Sequence, residues 1–382
     1  MRLCLVGPAP PQRGGIARTT GAIYLALSRR FETRLVSFRR LYPAWVFPGR
    51  GEREPEDPAD PLAPAMLPAI VRALDGLDPR TWTLAAAPIA AFQPDVVLIQ
   101  WWTSYFLPLW LALAAALRRR SRARLLVLCH QVEEHEASML TRGVLGLLLR
   151  RMDGVLVASA EEMQAVRSLA PGIAAATYGA LPADGLLPAS PCERDELRER
   201  LGFTRPTVLA LGFVRPYKGI ATLIRGLAIA RKEADLALVI AGESWYGERR
   251  RLEAVARSEG VLDCVSFIDR YLLGREAAEL LRAADIVAVT YERAGHSGVA
   301  GLAVEHGRPL LASRVGILPD LVEDGVSGYV VPPRDPQAVG RALVDFVRHG
   351  RGASMARAAA SRRVQLGAKL ADAVQALAVG GR

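Results

Sequence analysis

The sequence predicts an α/β chain built from two Rossmann-like, doubly wound parallel-sheet domains in tandem, and three observations carry that reading. Short apolar runs alternate with helix-length segments along nearly the whole chain. Such a rhythm places strands in parallel with helices over both faces of each sheet. The rhythm lapses once, in a stretch at 186–205 rich in proline and charge, and then starts again. At 382 residues the chain is also longer than a single core of common size accommodates.

The first series of strand-like runs falls at 2–6, 34–38, 96–100, 125–129, 154–158 and 173–177, with helical patterns near 17–30, 81–92, 107–119, 138–152 and 160–169. The segment 39–68 carries seven prolines and dense charge and reads as a long surface loop. The second series has strands at 207–211, 237–241, 264–267, 286–290, 310–313 and 328–331, with helices near 220–232, 248–258, 275–283, 299–306 and 336–349. An Ala-rich helical stretch closes the chain. We therefore assign 1–185 to an N-terminal domain, 186–205 to a linker, 206–350 to a C-terminal domain and 351–382 to a helical tail. Two such sheets facing each other would leave a cleft at the carboxyl ends of their strands, where ligands of open α/β sheets bind.

A hydrophobic content of 51% with 23% charged residues excludes disorder. The longest apolar stretch, 105–117, contains Pro108 and is shorter than the roughly 20 residues that span a bilayer. The first residues fit a strand better than a signal peptide. Cys4, Cys129, Cys192 and Cys264 are scattered without a CxxC pair, so they read as reduced core residues of a cytoplasmic protein, with neither zinc nor a disulfide framework. The net charge of +10 is uneven. Arg118, Arg119, Arg120, Arg122 and Arg124 follow the Trp-containing apolar run, and the last 35 residues hold seven Lys/Arg against one Asp. A basic surface beside apolar and aromatic side chains suits the anionic inner face of a membrane; a solvated helix end is the alternative. No helix-turn-helix, RRM or zinc-finger pattern accompanies the charge, so nucleic acid is not an expected partner.

Four strand-to-helix loops hold the candidate chemistry. Gly14 and Gly15 follow the first strand, and paired glycines let backbone approach a ligand at a helix start; a plain tight turn is the alternative. His130 ends a strand and opens the cluster His130, Glu133, Glu134, His135 and Glu136, whose spacing is not that of HExxH. Its imidazole there can hydrogen-bond a reacting or a sugar hydroxyl, or it is a structural histidine. Arg215 and Lys218 lie three apart in a loop bounded by Gly212 and Gly219, a planar fork and a point charge suited to a diphosphate. Ser297, Gly298 and Val299 open a helix whose end carries Glu305, and an anion is the natural ligand of such a start.

Taken together, LGFVRPYKGIATLI at 209–224, LVIAGE at 238–243, AADIVAVT at 283–290, SGVAGLAVEHGRPLLASRVG at 297–316, LPDLVEDGVSGYVVPPRDP at 318–336 and PPQRGGIAR at 10–18 resemble the group 1, or family 4, retaining glycosyltransferases of GT-B fold. The resemblance implies transfer of a sugar from a nucleotide diphosphate sugar to a glycan or lipid-linked acceptor. It makes the N-terminal domain the acceptor side and the C-terminal domain the donor side. It implies that Arg215 and Lys218 neutralise the diphosphate leaving group, that Gly14 and Gly15 approach the same phosphates, and that His130 touches the sugar. It gives Gly212, Glu243, Ser297, Gly298, Val299 and Glu305 to the donor as well. No cofactor or metal ion is implied, because the cations take the metal's place.

One departure stands out. The pattern usually has two glutamates eight positions apart, and counting back from Gly307 puts Ala294 and Leu302 there, flanked by Glu292 and Glu305. Two other readings follow from it: a nucleotide-sugar-binding protein without catalysis, or a sugar-nucleotide epimerase of the same fold. A pyridoxal-dependent phosphorylase fits less well, since the chain has only Lys218, Lys232 and Lys369.

Overall fold

The structure, a computed structural model, describes the chain except residues 44–52, 55–59, 63–69, 133–142, 182, 184–185, 189, 363–367 and 380–382. It divides into two compact units. One holds Met1–Pro58, Leu62–Leu186 and Leu366–Arg382; the other holds Leu187–Gln365 with Ala59–Pro61.

In the first unit the elements run β1 (Arg2–Val6), α1 (Gly15–Ser28), β2 (Glu32–Arg40), β3 (Ile70–Asp75), α2 (Pro79–Leu84), α3 (Ala86–Ala91), β4 (Val96–Trp101), α4 (Leu107–Arg120), β5 (Arg124–Cys129), α5 (Val144–Leu149), β6 (Gly154–Val157), α6 (Ala160–Leu169) and β7 (Ala174–Thr177). The strands form one parallel sheet in the order β3-β2-β1-β4-β5-β6-β7. The reversal of order between β1 and β4 is the switch point at which doubly wound sheets leave room for ligands. Every residue of β4 and β6 is buried, as expected of strands covered on both faces.

The second unit begins with α7 (Arg194–Leu201), inside the stretch 186–205, and continues β8 (Thr207–Leu211), α8 (Ile220–Ala230), β9 (Ala237–Ala241), α9 (Glu248–Ser258), β10 (Val265–Ile268), α10 (Gly274–Ala283), β11 (Ile286–Val289), α11 (Gly298–Glu305), β12 (Leu310–Ser313), β13 (Gly328–Val331), α12 (Pro336–Arg348) and α13 (Gly352–Arg362). Its parallel sheet runs β10-β9-β8-β11-β12-β13. The last helix, α14 (Ala368–Val379), returns to the first unit, where Leu370, Val374 and Leu377 are buried and Arg30 bonds to Asp372 and Gln375.

The strand β3 and the helix α7 do not stand out in the sequence. The β3 segment sits at the sheet edge, only one of its residues is buried, and its pairing with β2 shifts register twice, so it shows little of a strand's pattern. Helix α7 buries only Leu197; its charged face is held by Arg194 and Arg198 on Asp285, at 2.5 and 2.7 Å. Most of the loop expected at 39–68 lies outside the described residues.

Candidate functional site

In the second unit, the loop after β8 folds around a buried lysine, Lys218. Gly212 turns with φ 87°, a left-handed conformation that suits glycine. A Cβ added there would lie 3.1 Å from Lys218 Nζ and 3.4 Å from Val299 Cγ2. Lys218 is 8% exposed, and its Nζ donates to Leu211 O at 3.1 Å. Burial, and secondly the charge of Arg215, push its pKa down to about 7. Arg215 lies within 5.1–5.9 Å of the rings of Tyr217, Trp245 and Tyr246, a setting that holds a guanidinium by cation–π attraction. The loop after β9 lies alongside: Glu243 O accepts from Val214 N at 2.9 Å and Val214 O accepts from Trp245 N at 3.1 Å. Glu243 is thereby fixed next to the Arg215 loop by backbone bonds.

The segment after β11 joins this group through Tyr291. The Tyr291 ring centroid is 5.7 Å from Lys218 Nζ, and its hydroxyl accepts from Ser297 Oγ at 3.2 Å. Ser297 is also the N-cap of α11, its Oγ accepting from Ala300 N at 3.2 Å. Gly212, Arg215, Lys218, Ser297, Gly298, Val299 and Glu243 therefore belong to one neighbourhood of the second unit. Glu305 is the last residue of α11, about 10 Å along the helix axis from Gly298 at a rise of 1.5 Å per residue, so the structure sets it apart from the helix start. Of the positions where carboxylates are expected, Ala294 supplies a backbone oxygen that leaves no room for a side chain at Gly316, and Leu302 lies within α11. The neighbouring Glu292 is paired with Arg334 at 2.6 Å, while its N–H donates to Tyr217 O at 2.8 Å.

In the first unit, Gly14 is the N-cap of α1 with φ 124°, a backbone that side chains rarely adopt. A Cβ at Gly15 would meet no atom within 4 Å, so the space before it is open. His130 follows β5 at the same carboxyl edge of the sheet and is 2% exposed. Its Nε2 is 2.6 Å from Gln100 Oε1, and Gln100 Nε2 donates to Thr20 Oγ1 at 2.7 Å. Sequence reasoning missed Gln100 and Thr20, although a lone amide at the end of the apolar run 96–101 is a visible signal. Nearby, Glu162 accepts from Ala158 N at 2.9 Å and Val132 N at 3.4 Å, and burial raises its pKa to about 7. Glu133, Glu134, His135 and Glu136 lie outside the described residues.

The basic surface differs from the sequence expectation. Trp101, Phe106 and Trp110 are 0–2% exposed, and Phe106 and Trp110 pack with Phe38, so these rings are core rather than surface, while Tyr105 beside them is 45% exposed. The arginines remain outside: Arg118, Arg119, Arg150 and Arg151 line a depression of about 440 Å³ with Asp153, at the sheet edge opposite His130. Among the described residues no helix is long and apolar enough to cross a membrane, and no group of three His, Cys, Asp or Glu is placed to hold a metal ion.

Residues 205–349 match the family model of group 1 glycosyl transferases. The chain is 35% identical over 182 residues to the D-inositol 3-phosphate glycosyltransferase of Xylanimonas cellulosilytica, covering 46% of this chain and 43% of that one. It is 38% identical over 154 residues to the enzyme of the same name from Actinosynnema mirum, covering 37% and 36%. These matches span less than half the length of either relative. Among solved structures, HepE of Anabaena in complex with UDP and glucose superposes with a TM-score of 0.73 at 18% identity, covering 98% of this chain and 99% of that one. Sucrose-phosphate synthase from Thermosynechococcus elongatus gives 0.67 at 19% identity, covering 99% and 95%. The resemblance to group 1 glycosyltransferases stands, and the fold is GT-B, with its two Rossmann-like units.

Proposed function

We propose that the protein is a retaining glycosyltransferase that moves a sugar from a nucleotide diphosphate sugar to a glycan or lipid-linked acceptor. The observation that carries this reading is the neighbourhood of Arg215, Lys218 and the Ser297–Val299 helix start, within the region that matches the group 1 model. Departure of a nucleoside diphosphate builds negative charge on the diphosphate. Fixed cations and helix N–H groups aimed at that charge lower the barrier without reorganising. Arg215, steadied by Tyr217 and Trp245, offers a planar fork, and Lys218, brought to Gly212 by its loop, offers a point charge. In this reading they serve the reaction without a metal ion or cofactor. Gly14 and Gly15 let backbone approach the phosphates, and His130 bonds a hydroxyl of the sugar.

The matched relatives are named for D-inositol 3-phosphate, a phosphorylated polyol, and the HepE complexes hold UDP, glucose and UDP-glucose. Both favour a nucleotide-sugar donor and a hydroxylated acceptor here. The arginine-lined depression favours work at the cytoplasmic face of an anionic membrane. Ala294 and Leu302 favour a second reading, donor binding without turnover. Thermal-shift screening against UDP-, GDP- and ADP-sugars tests the donor site, since a ligand at 100 times its Kd stabilises by about 2.7 kcal/mol. A rise with one nucleotide family supports the proposal; no rise with any of them refutes it. Ligand stabilisation without transfer to any acceptor, or release of nucleotide, selects the second reading.

A further inference from the structure

Three side chains of the first unit form a buried polar chain that leads away from His130 into the sheet. Thr20 and Gln100 are 0% exposed and His130 is 2% exposed. They come from α1, β4 and the end of β5, so the chain crosses the switch point of the sheet. Groups so buried must satisfy one another, and their donors and acceptors have to alternate.

The alternation has a fixed start. The Thr20 hydroxyl donates its one proton to Ile16 O at 2.8 Å, in the preceding turn of α1. Thr20 Oγ1 can then only accept, so it takes a proton from the Gln100 amide nitrogen at 2.7 Å. That turns Gln100 Oε1 toward His130, 2.6 Å from Nε2. An amide oxygen only accepts, so Nε2 must carry a proton. Gly7 leaves the amide its space, for a Cβ there would lie 2.5 Å from Gln100 Nε2. Flipping the amide would require Thr20 to give up Ile16.

We propose that Thr20 and Gln100 are positioning residues that hold His130 as the Nε2–H tautomer, with the ring plane set and Nδ1 as its accepting nitrogen. The chain itself is independent of the proposed transfer reaction; only its kinetic consequence rests on that reading.

Nuclear magnetic resonance of the full protein labelled with 15N in the imidazole rings tests it. The sequence has five histidines, and the His130 signals are assigned by their loss in His130→Gln. At pH 8 the wild type is expected to show the Nε2-protonated pattern at His130. Gln100→Glu keeps an acceptor and keeps that pattern, while its charge makes the ring titrate about one pH unit or more higher. Gln100→Leu, or Thr20→Val if the former fails to fold, replaces the single pattern with a mixture of tautomers. An Nδ1-protonated pattern in the wild type overturns the proposal, as does an unchanged pattern in the variant that removes the acceptor or frees it to flip. On any donor that turns over, Gln100→Leu should lower kcat on the order of 10–100-fold with KM little changed, and Gln100→Glu should recover part of it. Absence of turnover in the wild type counts against the transfer reading alone, because the spectra decide the chain of bonds.

Discussion

Lys218 gives the sharpest prediction, because its burial and its proposed ligand pull its proton in opposite directions. Its pKa falls from 10.5 to about 7 in the folded protein. The gap, at about 1.36 kcal/mol for each pH unit, amounts to on the order of 5 kcal/mol. The sign follows from which state binds the proton. The unfolded chain holds it up to pH 10.5 and the folded one only to about 7, so the penalty is complete below pH 7. Stability gains as pH rises from about 7 toward 10.5. A diphosphate beside Nζ favours the charged form and restores the proton. At pH 8 the free protein holds Lys218 about nine-tenths neutral, so binding a nucleotide sugar should take up about 0.9 proton. Nucleotide sugars suit this test because their diphosphate, esterified at both ends, does not titrate near neutrality. Calorimetry in two buffers of different ionisation enthalpy reads the uptake directly. Affinity should fall about tenfold from pH 8 to 9, and Lys218→Met should abolish both the uptake and the pH dependence. No proton uptake in the wild type, or equal uptake in Lys218→Met, would refute the placement of the diphosphate on this lysine.

Three further outcomes follow from the geometry. Gly15→Ala should leave the thermal midpoint unchanged, since no atom lies within 4 Å of the added carbon, and should weaken donor binding in calorimetry; Gly14→Ala, at φ 124°, should lower the midpoint without donor. Ser297→Ala removes the cap of α11 and the bond to Tyr291, and urea unfolding should show a loss of about 1 kcal/mol at unchanged m-value. Transfer should persist in excess EDTA, because Arg215 and Lys218 take the part of a metal; a loss of activity restored by magnesium or manganese contradicts that role.

Much of the fold is legible because parallel strands buried on both faces leave unbroken apolar runs. The runs at 96–100, 125–129 and 207–211 correspond to β4, β5 and β8 within a residue at either end. The lapses have the same physical root. Edge strand β3 and helix α7 bury too little to imprint a period, and charge pairs rather than apolar contacts hold α7. In the candidate site, the loop that joins Arg215 and Lys218 is legible from glycines and spacing. The link through Tyr291 is not, since it brings together residues 218, 291 and 297 by contacts that no period records. Gln100 escapes notice for a related reason: its partners Thr20 and His130 come from two other elements. Trp101, Phe106 and Trp110 mislead in the other direction, because burial and exposure of an aromatic ring look alike in a sequence.

The central claim is that this chain binds a nucleotide diphosphate sugar through Arg215 and Lys218 and transfers its sugar. The most direct measurement is release of nucleotide from a panel of UDP-, GDP- and ADP-sugars, with and without candidate acceptors, for the wild type and Arg215→Ala. The account predicts acceptor-dependent release from one nucleotide family, reduced on the order of 100-fold or more in Arg215→Ala, the usual cost of losing one group that stabilises developing charge. Equal release by the two proteins would contradict it.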